Sequence, residues 1–216
     1  IKVIDGEKEA YYGGVAALNL LHDDTFVTVD IGGGSTEFSF VKNGKIEKSI
    51  SLNIGTVRIK ELYFNKEDIE GARKVILDNL KKIFDLGIEI PSKVVGIGGS
   101  IRAVSKIIME KNNYPLDILH GYTYNVKNEN TLFNKIINAR NNDDLKSIGV
   151  KKDRFDTIKE GSFIFKTILD ELNIKEVVSS GVGVREGVYL TDLLRNSNHK
   201  FPENFNVSVR SLLDRF

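Results

Sequence analysis

The sequence feature that most constrains the fold is an eight-residue segment, Asp-Ile-Gly-Gly-Gly-Ser-Thr-Glu at positions 30–37, which lies between two strand-like runs. β-branched and aromatic residues precede it at positions 26–29, and apolar and polar residues alternate after it at positions 38–41. This pattern predicts a strand, a glycine turn and a second strand. Walker-type loops and dinucleotide fingerprints run from a strand directly into a helix, so the segment differs from both.

The residue types in this hairpin are those that bind a phosphate group. Three consecutive glycines allow backbone N–H groups to approach an anion with no side chain in the way. Ser35 and Thr36 add hydroxyl donors, and Asp30 and Glu37 place a carboxylate at each end. Because carboxylates repel phosphate unless a cation or a water lies between them, the segment predicts a phosphate hairpin that also holds a metal ion or positions a water. A simple turn without a ligand is the alternative interpretation.

Composition sets only modest limits on function. The chain has 216 residues, and its 31 Lys and Arg nearly balance its 30 Asp and Glu, so no overall field favours nucleic acid or a membrane surface. It has no cysteine, which excludes disulfides and thiolate metal sites and fits the cytoplasm. No apolar run is long enough to span a bilayer. We therefore expect a cytoplasmic protein that binds neither nucleic acid nor membrane, and the missing initiator Met makes us expect a longer parent chain.

Predicted strands and helices alternate along the chain, which indicates an α/β fold. Strands are expected at residues 25–31, 36–42, 45–52, 93–97, 122–126 and 177–180. Helices are expected at residues 7–21, 53–64, 66–83, 100–108, 130–140, 155–172 and 185–195, the penultimate one with a capping box formed by Thr157 and Glu160. Residues 196–206 are polar and predict a linker, and residues 208–216 predict the start of another helix.

Two further glycine sites follow predicted strands and lead into helices. At positions 96–102 the sequence Gly-Ile-Gly-Gly-Ser-Ile-Arg offers a helix N-terminus and an arginine to an anion, with tight strand–helix packing as the alternative interpretation. Ile101 stands where a dinucleotide fingerprint needs its third glycine. The third site, at positions 180–187, is as typical of a close packing contact as of a ligand loop.

In order and spacing these glycine sites resemble the lower domain of the actin, sugar-kinase and chaperone ATPase superfamily. The hairpin, together with residues 6–10, 98–102, 154–156 and 184–187, is similar to the exopolyphosphatase/guanosine pentaphosphate phosphatase (Ppx/GppA) family. The resemblance covers residues 1–195 and implies a ribonuclease H-like (actin-like ATPase) domain, an α/β fold whose mixed sheet has an antiparallel meander flanked by helices. No first-domain hairpin precedes Glu9, so we expect the family's second domain without its first, followed at 196–216 by a linker and the start of a helical C-terminal domain.

The resemblance implies a Mg²⁺-assisted hydrolase that acts in a cleft between two domains. Glu9 matches the catalytic base, with Glu7 as the competitor, and Asp30 and Glu37 match catalytic acids that hold Mg²⁺ or orient the water. The implied phosphate-binding residues are Gly32, Gly33, Gly34, Ser35, Thr36, Gly98, Gly99, Ser100, Arg102 and Arg154. The three histidines, His22, His120 and His199, lack metal-ligand spacing and are expected to be structural or exposed.

The substrate implied by the resemblance is inorganic polyphosphate or guanosine penta- or tetraphosphate, between which the sequence does not choose. A module that binds a nucleotide or alarmone without hydrolysis is the first alternative, and a sugar or acetate kinase is the second. The retained acids argue against a pure binder, and no acceptor pocket for a kinase is evident. The chain alone is expected to be nearly inactive, and the resemblance allows a homodimer of the full-length protein.

Overall fold

The computed structural model describes residues 3–202, which fold around one mixed sheet. Its strands are β1 (Phe26–Ile31), β2 (Thr36–Lys42), β3 (Lys45–Leu52), β4 (Lys93–Ile97), β5 (Thr123–Asn125) and β6 (Glu176–Ser179), in the spatial order β3-β2-β1-β4-β6-β5. The first three form an antiparallel meander, β4 and β6 run parallel to β1, and β5 is an antiparallel edge strand. The predicted mixed α/β sheet with a meander is therefore confirmed.

Eight α-helices of the described region flank this sheet. They are α1 (Gly6–Leu20), α2 (Thr56–Leu62), α3 (Ile69–Phe84), α4 (Gly99–Lys111), α5 (Val126–Ile137), α6 (Asn142–Ser147), α7 (Ile158–Glu171) and α8 (Val184–Leu193). Short 3₁₀ helices occur at Phe64–Lys66 and Lys152–Arg154. The large core fills the space between one sheet face and helices α3, α4, α5 and α7, while α1 and α8 cover the other face.

Alternation along β1 decides which side chains meet which helix layer. Val27, Val29 and Ile31 face the large core, so Asp30 faces α1. Gly14 in the middle of α1 has a packing reason, because a Cβ added there would lie only 2.8 Å from the Cβ of Ser39 on β2. The helix can therefore lie unusually close to the sheet.

Several predicted helix boundaries are wrong. The helix predicted at 130–140 begins at Val126, because the Asn125 side chain caps it by accepting the Lys127 N–H. The helix predicted at 155–172 begins at Ile158, and the predicted capping box is absent, since the Thr157 side chain makes no capping hydrogen bond. Thr157 has φ −136° and ψ −9° rather than the extended backbone that such a cap requires. Helix α6 was not predicted.

The described part of the predicted linker packs against α1. The Tyr11 hydroxyl is 2.6 Å from Nδ1 of His199, and Asn19 bonds both the carbonyl of His199 and the N–H of Phe201. The remainder of the predicted linker and the predicted helix at 208–216 lie outside the described residues. Within residues 3–202, no helix combines the length and the apolar character needed to cross a membrane.

Candidate phosphate-binding site

The sheet face under α1 changes from polar at one end to apolar at the other. Asp30 on β1 lies opposite Glu37 on β2, and Glu37 lies opposite Ser51 on β3, whose hydroxyl donates to Glu37 Oε1 at 2.8 Å. Towards the other end, Phe26 pairs with Val41, and both pack in a cluster with Ala17 near the end of α1. The acids therefore lie under the first turns of α1, with Ile97 on β4 as the apolar neighbour of Asp30.

Glu9 is the α1 carboxylate whose charge reaches this polar end. Its negative charge raises the pKa of both Asp30 and Glu37, which places the three carboxylates within electrostatic reach of one another. Glu7 is exposed and has no such effect on either residue. The helix begins with Asp5 as its cap, accepting the Lys8 N–H at 2.8 Å, so its first turn is well defined.

Burial and repulsion perturb the two sheet carboxylates. Burial, followed by the charge of Glu37, raises the pKa of Asp30 from 3.8 to about 6, against the lowering effect of Arg102. Burial also raises the pKa of Glu37, while the neighbouring hydroxyls of Ser35 and Ser51 lower it. Acids held at this energetic cost in a common site are typical of functional clusters. A cation beside them would relieve the repulsion.

Backbone N–H groups at the start of helix α2, together with the Arg58 side chain, bind the carbonyl oxygens at the tip of the β1–β2 hairpin. Because C=O and N–H of one trans peptide unit point in opposite directions, this arrangement turns the N–H groups of residues 33, 34 and 35 away from α2. Gly55 permits the contact, since a Cβ there would lie 2.4 Å from the carbonyl of Gly33. The bonds run from Thr56 N to Gly32 O (2.9 Å), from Val57 N to Gly33 O (2.9 Å), and from Arg58 Nε to Gly34 O (3.0 Å).

There is open space around Gly33 and Gly34 at the hairpin tip, and the fold does not require glycine at either position. Gly33 and Gly34 are exposed, and no hydrogen bond among residues 3–202 uses their N–H groups. A Cβ at Gly34 would meet nothing within 4 Å, a Cβ at Gly33 would make an ordinary contact with Val57, and neither residue has a positive φ. Space and free donors are what a tetrahedral anion requires.

Thr36 is placed differently from the other residues of the predicted loop. Its side chain is fully buried, and its hydroxyl donates to the carbonyl of Ile54. That hydroxyl is therefore not available to a phosphate, and it instead ties β2 to the segment that leads into α2. Ser35 remains partly exposed beside the tip.

The second glycine loop reaches the same place from β4. Gly98 has φ +92°, and a Cβ there would lie 2.6 Å from Asp30 Oδ1, so both backbone and space demand glycine. The guanidinium of Arg154 lies against Gly99, only 2.4 Å from the position of an added Cβ. Ser100 is buried against Gly161 of α7. The structure thus brings Gly98, Gly99 and Arg154 to the site, with the Ser100 side chain turned into the core.

The side chain of Arg102 is hydrogen-bonded to the third glycine loop. The guanidinium donates to the carbonyls of Ser180 at 2.8 Å and Val182 at 3.2 Å. Further on, a Cβ at Gly187 would lie 1.9 Å from the carbonyl oxygen of Tyr12, so this glycine allows α8 to contact α1. The packing interpretation of the third glycine site is thus the one supported by these contacts, while the charge of Arg102 still acts on Asp30.

A cavity of about 290 Å³ opens beside Gly99 along one face of α4. Its polar lining is mainly basic and consists of Arg102, Lys106, Lys151 and Arg154 with the acids Glu110 and Asp153. Sequence reasoning missed Lys106 and Lys151. The four-residue spacing of Arg102, Lys106 and Glu110 could have revealed the α4 side, whereas Lys151 lies in a loop whose path depends on the fold.

No group of three or more Asp, Glu or His side chains within residues 3–202 is arranged as a ready metal site. Asp30 and Glu37 supply two adjacent carboxylates, which is the number that Mg²⁺ commonly takes from a protein when phosphate and water complete its shell. The histidines are elsewhere: His120 bonds the carbonyl of Leu20, His199 contacts Tyr11, and His22 is exposed.

Comparison with known sequences gives one family for nearly the whole chain. The profile of the Ppx/GppA phosphatase family matches residues 1–196. A guanosine-5'-triphosphate,3'-diphosphate pyrophosphatase of Pseudoalteromonas translucida is 31% identical over 92% of this chain and 40% of its own length. A bifunctional 3-dehydroquinate synthase/phosphatase of Fusobacterium nucleatum is 32% identical over 79% of this chain and 27% of its own length. The chain thus spans less than half of these curated relatives.

Solved structures agree in fold. The Aquifex aeolicus member of the Ppx/GppA family has a TM-score of 0.74 and 29% identity, covering 91% of this chain and 65% of that protein. An exopolyphosphatase from Cytophaga hutchinsonii has a TM-score of 0.78 over 93% of this chain and 67% of its own, and at 19% identity it supports the fold alone. The family match over residues 1–196 and the similarity to the Aquifex aeolicus structure show that the chain is an actin-like ATPase-type domain that belongs to the Ppx/GppA phosphatase family.

Proposed function

We propose that this chain supplies one wall of an active site that releases the terminal phosphate of inorganic polyphosphate or guanosine pentaphosphate (pppGpp). The observation that carries the proposal is the hairpin tip, where Gly33 and Gly34 present free N–H groups beside the carboxylates of Asp30 and Glu37. Membership of a phosphatase family supports the reaction class. In this proposal the activity belongs to the full-length protein, whose remaining part would supply the facing wall.

Hydrolysis of a phosphoanhydride needs a positioned water, a proton acceptor and stabilisation of the charge on the transferred group. In the proposed reaction the water oxygen attacks the terminal phosphorus while the bridging P–O bond breaks, and Glu9 takes a proton from the water. The N–H groups of Gly33 and Gly34 bind the oxygens of the transferred group. Glu9 suits the role of base better than Glu7 because its charge reaches the site.

Asp30 and Glu37 would hold Mg²⁺ in this proposal. Two carboxylates repel a phosphate, and burial, with the charge of Glu37 acting on Asp30 and that of Glu9 acting on both, raises their pKa values. Mg²⁺ supplies the positive charge that allows carboxylates and phosphate to share one site. Arg102, fixed by two carbonyls, adds a positive charge near Asp30.

The basic cavity beside Gly99 supports a substrate with more than one phosphate. Lys106, Lys151 and Arg154 line it and could neutralise the remainder of a polyanion whose terminal phosphate lies at the hairpin. A polyphosphate chain and a guanosine derivative both carry such additional phosphates. We therefore propose both substrates and leave their ranking to the assay below.

The first experiment measures phosphate release from polyphosphate, pppGpp and ATP by the full-length protein and by its Gly34→Ala variant. Because a Cβ at Gly34 meets nothing in the fold, the variant should be as stable as the wild type or more stable by about 0.5 kcal/mol. The methyl group would block the approach of phosphate to the N–H donors, so turnover should fall by about 10²-fold.

A matched control is Gly13→Ala in α1, where the added Cβ would make an ordinary 3.5 Å contact with Ile97. It should stabilise the helix without lowering turnover. If Gly34→Ala released phosphate at the wild-type rate, the hairpin would be only a turn and the proposal would fail.

Glu9→Ala tests the base. Loss of a general base should lower turnover by about 10²-fold while leaving the unfolding transition unchanged. Unchanged turnover in this variant, with a loss in Glu7→Ala instead, would exchange their roles.

Binding of the alarmone without any phosphate release would favour the non-hydrolytic module, and phosphate transfer to a sugar or acetate would favour the kinase. The isolated 216-residue chain should show weak phosphate binding and almost no turnover, because donors are missing on the open side.

A further inference from the structure

Helix α1 lies on β2 and β3 through three small residues spaced four apart, Gly6, Ala10 and Gly14. A Cβ added at Gly6 would lie 2.4 Å from the Cβ of Ser51, and one added at Gly14 would lie 2.8 Å from the Cβ of Ser39. Ala10, between them, is buried. The backbone of the helix therefore touches serine side chains of the sheet directly, without an intervening layer of apolar side chains.

One of these contacts is a hydrogen bond to the helix backbone. The hydroxyl of Ser39 donates to the carbonyl oxygen of Ala10 at 2.7 Å, and Oγ of Ser49 lies 2.7 Å from Oγ of Ser39. Because the single hydroxyl hydrogen of Ser39 is used on Ala10, Ser49 must donate to Ser39. The position of Ser39 is also fixed by its backbone N–H, which donates to the hydroxyl of Thr28 on β1.

These hydrogen bonds lead from Ser49 through Ser39 to the carbonyl of Ala10, the residue that follows Glu9. Ser39 has no exposed surface, so it cannot contact a substrate and can act only through the helix backbone. At its other end, α1 is held by apolar contacts around Ala17, which have no preferred direction. A hydrogen bond is directional, and it fixes both the height and the rotation of the first turns of the helix above the acids.

We propose that Ser39, supported by Ser49, is a positioning residue that holds Glu9 in register with Asp30 and Glu37. This inference rests on the proposed function, because it assumes that Glu9 is the base. A shift of about 1 Å in a reacting group can cost about 10²-fold in rate, so the anchor at Ala10 has a kinetic consequence. Substrate affinity depends instead on the hairpin tip, which Ser39 does not touch.

The experiment is a double-mutant cycle between Ser39→Ala and Glu9→Ala in the full-length protein. Ser39→Ala should lower kcat by about tenfold to 10²-fold with KM changed less than about threefold, and Ser49→Ala should have a smaller effect in the same direction. In the Glu9→Ala background, Ser39→Ala should have no further effect on kcat, because the two residues act through one step.

The matched control is Ser105→Ala. Ser105 and Ser179 form another buried hydroxyl pair, at 2.7 Å, between α4 and β6, so this variant loses the same kind of bond without touching α1. Equal losses of kcat from Ser39→Ala in both backgrounds, or a loss no larger than that of Ser105→Ala, would overturn the inference.

Hydrogen exchange of the α1 amides separates this inference from the proposed function. Ser39→Ala should accelerate exchange in the first turns of α1 at least about fivefold relative to Ser105→Ala, a change that follows from local opening. A wild-type protein that releases no phosphate would overturn the proposed function, and the exchange rates would still decide whether Ser39 anchors the helix. Unchanged exchange would refute the anchor even in an active enzyme.

Discussion

Replacing Asp30 by Asn should stabilise the fold while impairing the site. Burial and the charges of Glu37 and Glu9 raise the pKa of Asp30 to about 6, so the folded chain holds this carboxylate ionised at neutral pH only at an energetic cost. Asparagine has nearly the same shape and carries no charge. The substitution therefore removes the repulsion and keeps the strand pairing between β1 and β2.

The pKa difference gives the size and the pH range of the effect. In the unfolded chain Asp30 titrates near 3.8, and in the folded chain it titrates near 6, so the folded state holds the proton more tightly. Well below pH 3.8 both states are protonated and no cost exists. Between pH 4 and pH 6 the wild type loses stability. The total loss is at most about 3 kcal/mol, since one pKa unit is worth about 1.4 kcal/mol. Solvent near this partly exposed residue reduces the expected gain for Asp30→Asn to about 1–3 kcal/mol.

The assay is urea unfolding of both proteins from pH 4 to pH 8 in chelator-containing buffer, so that no cation masks the repulsion. The stability difference should grow from about 0.5 kcal/mol or less at pH 4 to its full value above pH 7, with a melting temperature about 3–9 °C higher for the variant at pH 7.5. Asp78→Asn is the control: Asp78 is exposed, and the hydrogen bond from Lys81 lowers its pKa, so its pH dependence has the opposite sign. A difference between Asp30→Asn and wild type that is absent at pH 7.5, or constant across the range, would refute the reasoning.

Other substitutions test the supports of the site. Gly55→Ala should lower the free energy of unfolding by at least about 2 kcal/mol and abolish phosphate binding in calorimetry, because its Cβ would collide with the backbone of Gly33; wild-type stability would contradict the described contact. Tyr11→Phe and His199→Ala should each cost about 1 kcal/mol in urea unfolding, and the double variant should cost little more than His199→Ala alone. Strictly additive losses would mean that the two residues act separately.

The sequence was sufficient to predict the strands and the hairpin because those signals are local. Two-residue alternation, the glycine turn and the Asn-Gly turn after β2 each specify their own neighbourhood. The contact between Gly98 and Asp30, by contrast, depends on the pairing of β1 with β4, which no local pattern specifies. Helix ends were less predictable, since Asn125 and Thr157 are both plausible caps and only tertiary packing decides which side chain is used.

The sequence could not predict how side chains of the site are divided between ligand and fold. Thr36 has the residue type of a phosphate donor, but Ile54 takes its hydroxyl. Arg102 has the residue type of a cleft arginine, but two carbonyls about 80 residues further along the chain engage its guanidinium. These partners are distant in sequence, so no local pattern contains them.

The glycines around the hairpin show how packing and ligand chemistry depend on each other. Gly55 is explained by the fold, because its missing side chain lets α2 bond the carbonyls of Gly32 and Gly33. Gly34 is not explained by the fold, because a methyl group there would touch nothing. The contact that Gly55 permits nevertheless determines the backbone at Gly34. Because the carbonyls of the tip are bound to α2, its peptide units must direct their N–H groups outward. Free donors at this exposed tip are therefore a consequence of close packing behind it, and the proposed phosphate would account for the open glycines.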